Sequence, residues 1–350
     1  MRRHGLVPAG CAARADGGLL PGRHRRLPRR RHPRRPFPAA RRPHRPPPGN
    51  RPAHPRAHGR TADGGVVPDE AVRDFAERAI GPIGTWSDSS WPRAESRVWR
   101  ATGKHSGAWY VKQHQNQRFH RREVHALRHW ARVLGAAAPR LVAADDAHRT
   151  VILTELPGRP VHGQVLPTAT ECEVCRQVGH LTARYHQAAT PSPARPPGPG
   201  KLHRYLDAAR PLLADGDKDL VLALAALRDT LPAPVWVPTL GDLQPRNILL
   251  TTPDDSLLRV GLIDFERSEL SPAVRDFARL ADIWQGRPDL FEAFFTGYGR
   301  PLTNGDRQRL RCEAALDAIS GIAYGHTHDD PELLERGLRT LRALRADTFI

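Results

Sequence analysis

The chain has 350 residues, 39% of them hydrophobic, and a formal net charge of +17. That length admits one two-lobed enzyme or two modest domains, and the apolar content admits a sizeable core. Four cysteines are too few for a disulfide scaffold and fit a reducing cytoplasm, and no apolar run approaches the ~20 residues that span a bilayer.

The charge is unevenly spread. Residues 1–60 hold 17 Arg, 12 Pro, no Lys and a single acidic residue, Asp16, whereas residues 201–350 come to −4. A segment of that composition cannot bury enough apolar surface to offset chain entropy, so residues 1–65 are expected to be a disordered tail. Pro8, Arg14 and Asp16 break up any apolar stretch of a signal peptide. The tail reads as an arginine-rich arm for nucleic acid, as an inert extension, or as the product of a start codon placed too far upstream, with the native chain starting near Val66 or Val67. The globular part is expected to divide into 66–156 and 157–350.

Residues 69–80 carry Ala71, Val72, Phe75, Ala79 and Ile80 at helical spacing, and Gly81-Pro82 stops them. From Thr85 to Gln113 the pattern is strand-like. The run 96–102, the turn signal 103–107 and the run 108–113 read as a hairpin. Lys112 closes that hairpin, and an amphipathic helix is expected over about 118–134. Between Lys112 and Asp145 the one acidic residue is Glu123. His125 and His129 on the same helix have metal-ligand spacing, but nothing completes a site, and solvated histidines are the expectation.

Residues 150–161 form a buried-type strand ending at Pro157-Gly158. A helix is expected over 168–187, opened by a capping box at Thr168 and Glu171. It carries Cys172 and Cys175, a C-x-x-C without a second pair, and so no expected zinc or redox site. Residues 191–200 are proline-rich. Residues 205–231 are expected to be largely helical, and helices are expected over about 272–285, 289–298, 303–325 and 330–346, with His326, His328, Asp329 and Asp330 in a polar loop.

The chemistry concentrates in 237–267. Two short apolar runs, 247–250 and 257–263, flank a turn-rich connector and read as a hairpin. Asp242 and Asn247 stand at its start and Asp264 at its end. One amide and two carboxylates at one edge make a hard-oxygen site, suited to Mg²⁺ rather than zinc. The spacing D-x-x-x-x-N followed by a strand ending in Asp-Phe is the catalytic-loop and metal-loop pattern of kinase-type phosphoryl transfer. A strand lysine followed 11 residues later by a lone helix glutamate fits the ion pair that orients α- and β-phosphates.

Taken in order, Lys112, Glu123, the strand at 150–156, GDLQPRN at 241–247 and LIDFE at 262–266 resemble the aminoglycoside phosphotransferase/choline kinase-like family. The resemblance covers roughly 75–347. It implies an α+β, two-lobed protein-kinase-like fold, with a small sheet-based N-lobe and a larger, mainly helical C-lobe. It also implies ATP and Mg²⁺ as cofactors and a small-molecule hydroxyl acceptor: an aminoglycoside-like antibiotic, an amino alcohol or a sugar. By position, Lys112 and Glu123 would hold the nucleotide's phosphates, and backbone groups near Glu155 and Leu156 would meet the adenine edge. Asp242 would be the catalytic residue, Asn247 and Asp264 would hold the metal, Asp276 would brace the catalytic loop, and Glu266 could face the substrate cleft. The family's usual His two residues before the catalytic Asp is here Leu240, Arg246 stands where the family usually has Gly, and the serine loop at 87–96 lacks glycine. Those departures leave a catalytically weak, kinase-like binding module as the alternative, beside nucleic-acid binding through the tail.

Overall fold

The computed structural model describes residues 66–91, 96–105, 107–193, 200–252 and 257–349. The tail at 1–65 and part of the serine loop, 92–95, lie outside the described residues.

Helix α1, Glu70–Ile80, opens where the Asp69 carboxylate accepts the Val72 N–H at 2.9 Å, satisfying a donor of the first turn. Five strands follow: β1 (Ile83–Asp88), β2 (Arg97–Gly103), β3 (Ala108–Gln113), β4 (Leu141–Asp145) and β5 (Thr150–Thr154). They form one antiparallel sheet in the order β1-β2-β3-β5-β4. Trp99, Ala101, Val111 and Ile152 bury with Val72 and Ala76 of α1 in one cluster. Side chains alternate along a strand, so burying Val111 on that face turns Lys112 to the opposite face. The hairpin expected at 96–113 is formed, with Val98 opposite Lys112.

Helix α2, Gln117–His129, lies between β3 and β4 and buries Glu123, Val124, Ala126 and Leu127. The helix expected to reach Leu134 stops at His129. Residues 131–137 tighten into a 3₁₀ segment broken at Gly135, whose φ of 61° no right-handed helix accommodates.

Beyond residue 158 helices dominate. In order come β6 (Arg159–Pro160), α3 (Thr168–His186), α4 (Leu202–Ala209), α5 (Asp217–Thr230), β7 (Trp236–Thr239), β8 (Ile248–Thr251), β9 (Arg259–Leu262), β10 (Glu269–Pro272), α6 (Val274–Trp284), α7 (Pro288–Tyr298), α8 (Asn304–Thr327) and α9 (Pro331–Arg345). Strands β6, β8 and β9 form one small sheet and β7 with β10 another, so the expected 247–263 hairpin is the β8–β9 pair. Phe277, Leu280, Phe294, Ile319 and Ile322 are among the fully buried side chains of the core between these helices.

A further local expectation fails. Thr168 does not cap α3: Pro167 sits at the N-cap without a side-chain bond, and Glu171 reaches Arg287 at 2.9 Å instead. The capping box is at α8, where Thr303 and Asp306 bond each other's backbone N–H groups. The stretch 205–231, expected to be largely helical, is so in two pieces, α4 and α5, with Gly216 turning the chain at φ 83° before α5.

Candidate active site

Lys112 is 6% exposed and meets three carboxylates. Its Nζ is 2.9 Å from Glu123 Oε2, 2.7 Å from Asp264 Oδ1 and 3.0 Å from Glu266 Oε2. The strand supplies the lysine, α2 the first carboxylate, and the loop after β9 the other two. Burial works against the ammonium charge, but Asp264, Glu123 and Glu266 outweigh it and hold Lys112 well above the ordinary lysine value. Burial likewise opposes the Glu123 charge, yet Lys112 and His114 hold that carboxyl well below the usual range. Glu123 Oε1 also accepts the Phe265 N–H at 3.1 Å, pinning the loop to α2.

His114 was missed in the sequence reading. Its Nε2 lies 2.5 Å from Glu123 Oε2 and its Nδ1 3.0 Å from the Arg149 carbonyl oxygen. The signal was available, because His114 follows Lys112 at strand period two and therefore shares its face. Glu266 does not face an acceptor cleft. It pairs with Lys112, and its Oε2 accepts the Ser96 hydroxyl at 2.7 Å. Among the described residues, His114, Glu123 and Glu266 form the one group of three with metal-ligand proximity, but the Lys112 ammonium is bonded to two of them, so they form an ion-pair network.

Asp242 is 3% exposed and fully engaged. Its Oδ1 accepts from Gln244 at 2.7 Å and Arg279 at 3.2 Å, and its Oδ2 from Arg246 at 3.2 Å and Asn247 at 3.3 Å. Burial opposes its charge, but Arg279, Arg267 and Arg246 pull it well below the usual carboxylate range. The loop carrying it is set from beneath. Asp276 on α6 accepts the Leu240 and Gly241 N–H groups at 2.8 and 2.7 Å, and His186 of α3 meets the same carboxylate at 3.0 Å. Asp276 is thus the brace the sequence suggested. Leu240 fills a buried apolar position in the core, and the imidazole beside the loop comes from His186, far away in sequence. Gly241 takes a φ of 75°, and a Cβ there would collide with the Arg267 carbonyl oxygen.

Asn247 ends a 3₁₀ turn, Pro245–Asn247, immediately before β8. Its amide nitrogen donates to the Asp242 carbonyl at 2.9 Å, so the amide oxygen is the end that could meet a cation. The Asn247 carbonyl accepts from Ile263, so the asparagine and the loop that begins at Asp264 are tied together at 3.0 Å. Asp264 holds a φ of 66°, a left-handed backbone that costs a non-glycine residue of order 1–3 kcal/mol. Burial, set against Lys112 and reinforced by Glu266, Glu123 and Asp242, pushes its carboxyl up to about 6. Three carboxylates around one ammonium leave an excess of negative charge. Together with an amide oxygen, that donor set fits a hard divalent cation such as Mg²⁺.

Glu155 and Leu156 sit where the sheet passes into the helical part. The Glu155 carboxylate is bound at 2.6 Å by Arg100, and the Leu156 side chain packs so closely over Gly261 that a Cβ would strike it. His125 and His129 lie with ring centroids 4.7 Å apart, outside the Lys112 cluster. Cys172 and Cys175 are free thiols, and burial pushes Cys175 up to about 12. Asp330 caps α9 through the Leu333 N–H at 3.1 Å, and His328 stacks on Tyr324.

Comparison with known proteins bears on this geometry. The model of the phosphotransferase enzyme family matches residues 92–312. Among solved structures, the GDP and kanamycin complex of APH(2")-IIia is similar at a TM-score of 0.59 and 14% identity, covering 80% of this chain and 100% of that one. A thermostable mutant of aminoglycoside phosphotransferase APH(4)-Ia is similar at 0.56 and 14% identity, covering 78% and 98%. Macrolide 2'-phosphotransferase type I is similar at 0.53 and 15% identity, covering 78% and 96%. No curated protein matches the chain in sequence. The two-lobed, protein-kinase-like fold expected from the motifs is the fold these structures share with it.

Proposed function

Because the chain belongs to the phosphotransferase enzyme family, we propose that it moves the γ-phosphoryl group of ATP to a hydroxyl of a small molecule. The observation that carries this reading is the junction at Lys112. One ammonium bonds the α2 glutamate, the ion pair that nucleotide handling by a kinase-type site requires, and also reaches the Asp264 carboxylate.

Each residue then has a role its geometry supports. Lys112, fixed by Glu123, would hold the α- and β-phosphates. The backbone at Glu155 and Leu156 would meet the adenine edge. Asn247 and Asp264 would hold Mg²⁺, which when bound neutralises charge developing on the phosphates. Asp242 would orient the acceptor hydroxyl. The hydroxyl oxygen bonds to the γ-phosphorus, the bond from that phosphorus to the bridging oxygen breaks, ADP leaves, and the hydroxyl proton passes to Asp242. The depressed basicity of Asp242 suits this role, since a loose transition state asks for positioning more than for a strong base.

The experiment is a measurement of nucleotide binding and of ADP release with Mg·ATP across hydroxylated small molecules. Acceptor-dependent ADP release with loss on Asp242→Asn supports the reading. Failure of the wild-type chain to bind Mg·ATP sinks it.

A further inference from the structure

The pocket against Asp242 has the charge of an anion site. A cavity of about 380 Å³ is lined by Asp242 and by Arg246, Arg267, Arg279, Arg336 and Arg339, with Asp282 and Glu332 as its other acidic residues. Asp282 is consumed in a two-pronged pair with Arg339, at 3.0 and 2.7 Å. Asp317 bonds Arg279 at 2.9 Å and Arg336 at 3.1 Å, one carboxylate between two guanidiniums.

An adjoining cavity of about 720 Å³ shares Arg267 and Arg279. There seven arginines stand against Asp229, Glu269, Glu313 and Asp317, and Arg118, Arg122 and Arg275 all converge on Glu269. Both hollows therefore carry more guanidinium than carboxylate. The crowding is felt by the groups themselves: burial, then Arg118, Arg275 and Arg267, bring Arg122 down to about 10. Burial, with Arg336 and Arg267, lowers Arg279 against the pull of Asp317 and Asp242. Planar guanidiniums in a partly dry cleft match an oxyanion, which they bind with paired, charge-assisted hydrogen bonds.

The nucleotide's phosphates have their own partners at Lys112 and the Asn247–Asp264 edge. Arg336 and Arg339 belong to α9 and pair with Asp317 and Asp282, outside the Lys112 network. We propose that the acceptor is an anionic small molecule, a hydroxylated compound bearing a carboxylate or a phosphate, whose oxyanion is held by the arginines beside Asp242. This rests on the kinase reading above and narrows its acceptor. A polycation entering the same cleft would meet like charge, which disfavours binding by direct repulsion.

The test uses the full chain and four matched probes: gluconate, glucose 6-phosphate, glucose and glucosamine. Binding of each is measured calorimetrically without nucleotide, and ADP release is measured with Mg·ATP. The expected result is affinity for gluconate or glucose 6-phosphate at least tenfold above that for glucose and glucosamine, weakening with salt. Comparing the two anions separates carboxylate from phosphate recognition. Arg336→Gln should raise KM for the favoured anion about tenfold while kcat changes less than threefold, and Arg336→Lys should recover part of the loss. Equal affinity for all four probes, none for any, or a preference for glucosamine overturns the proposal. Loss of Mg·ATP binding by the wild-type chain defeats the kinase reading instead, and the binding arm still decides the anion site.

Discussion

The Lys112 ammonium and the Asp264 carboxylate meet at 2.7 Å, joining a strand of the five-stranded sheet to the loop that follows β9. The two residues are 152 positions apart in the chain. That contact closes the site, and most of its energetics follow from it.

Replacing Lys112 with Met should both destabilise the fold and abolish tight nucleotide binding. The variant strands Glu123, Asp264 and Glu266 in a nearly dry site, and breaking a buried ion pair costs about 3–5 kcal/mol. Denaturant unfolding should show a lowered midpoint, and nucleotide titration should show weakened binding. An unchanged midpoint would mean that water reaches the carboxylates freely.

Metal affinity should depend on pH around Asp264. Its carboxyl is raised to about 6, so below that pH a proton occupies the group that would hold the proposed cation. Mg²⁺ affinity, measured with a saturating non-hydrolysable ATP analogue, should be flat above about pH 7. It should fall by roughly tenfold per unit below pH 6, with proton release on binding. Asp264→Asn should remove both the affinity and its pH dependence.

Asp242→Asn keeps the shape of the side chain and its place above Asn247 but cannot take the hydroxyl proton. We expect kcat to fall by about 10²–10⁴ while Mg·ATP affinity stays within a few-fold. Parallel losses in both would move Asp242 from the acceptor side of the site to the nucleotide side.

The brace beneath the loop should be felt as both stability and rate. Asp276→Ala leaves the Leu240 and Gly241 N–H groups and His186 without their shared acceptor, at about 1–3 kcal/mol for each buried group. Gly241→Ala should be similarly damaging, since the left-handed backbone alone costs a side chain about 1–2 kcal/mol and the Arg267 carbonyl blocks the Cβ. Thermal melts should show both losses. A stable but slow Asp276→Ala would confine its role to placing Asp242.

Local signals carried much of the site. Lys112, Glu123, Asp242, Asn247 and Asp264 stand out by residue type and spacing, and the fold brings Lys112, Glu123 and Asp264 into contact and sets Asn247 against Asp242. The helices after residue 270 were legible from apolar periodicity. The capping box at Thr168 failed because its pattern is only four residues long, and Pro167 competes for the N-cap position. Glu266 was misplaced because position in sequence does not say which cation a carboxylate will meet. His186 could not be found at all, since it reaches Asp276 from 90 residues away.

The sequence by itself determined the reaction chemistry and the order of its parts, because strand alternation, loop spacing and helix period are local properties of the chain. Only the tertiary structure decided the charge of the cavity beside Asp242. The balance over residues 201–350 is −4, yet Arg246, Arg267, Arg279, Arg336 and Arg339 line one cavity beside Asp242. A sum over a segment averages over every face, whereas a ligand meets only the side chains that packing turns toward it.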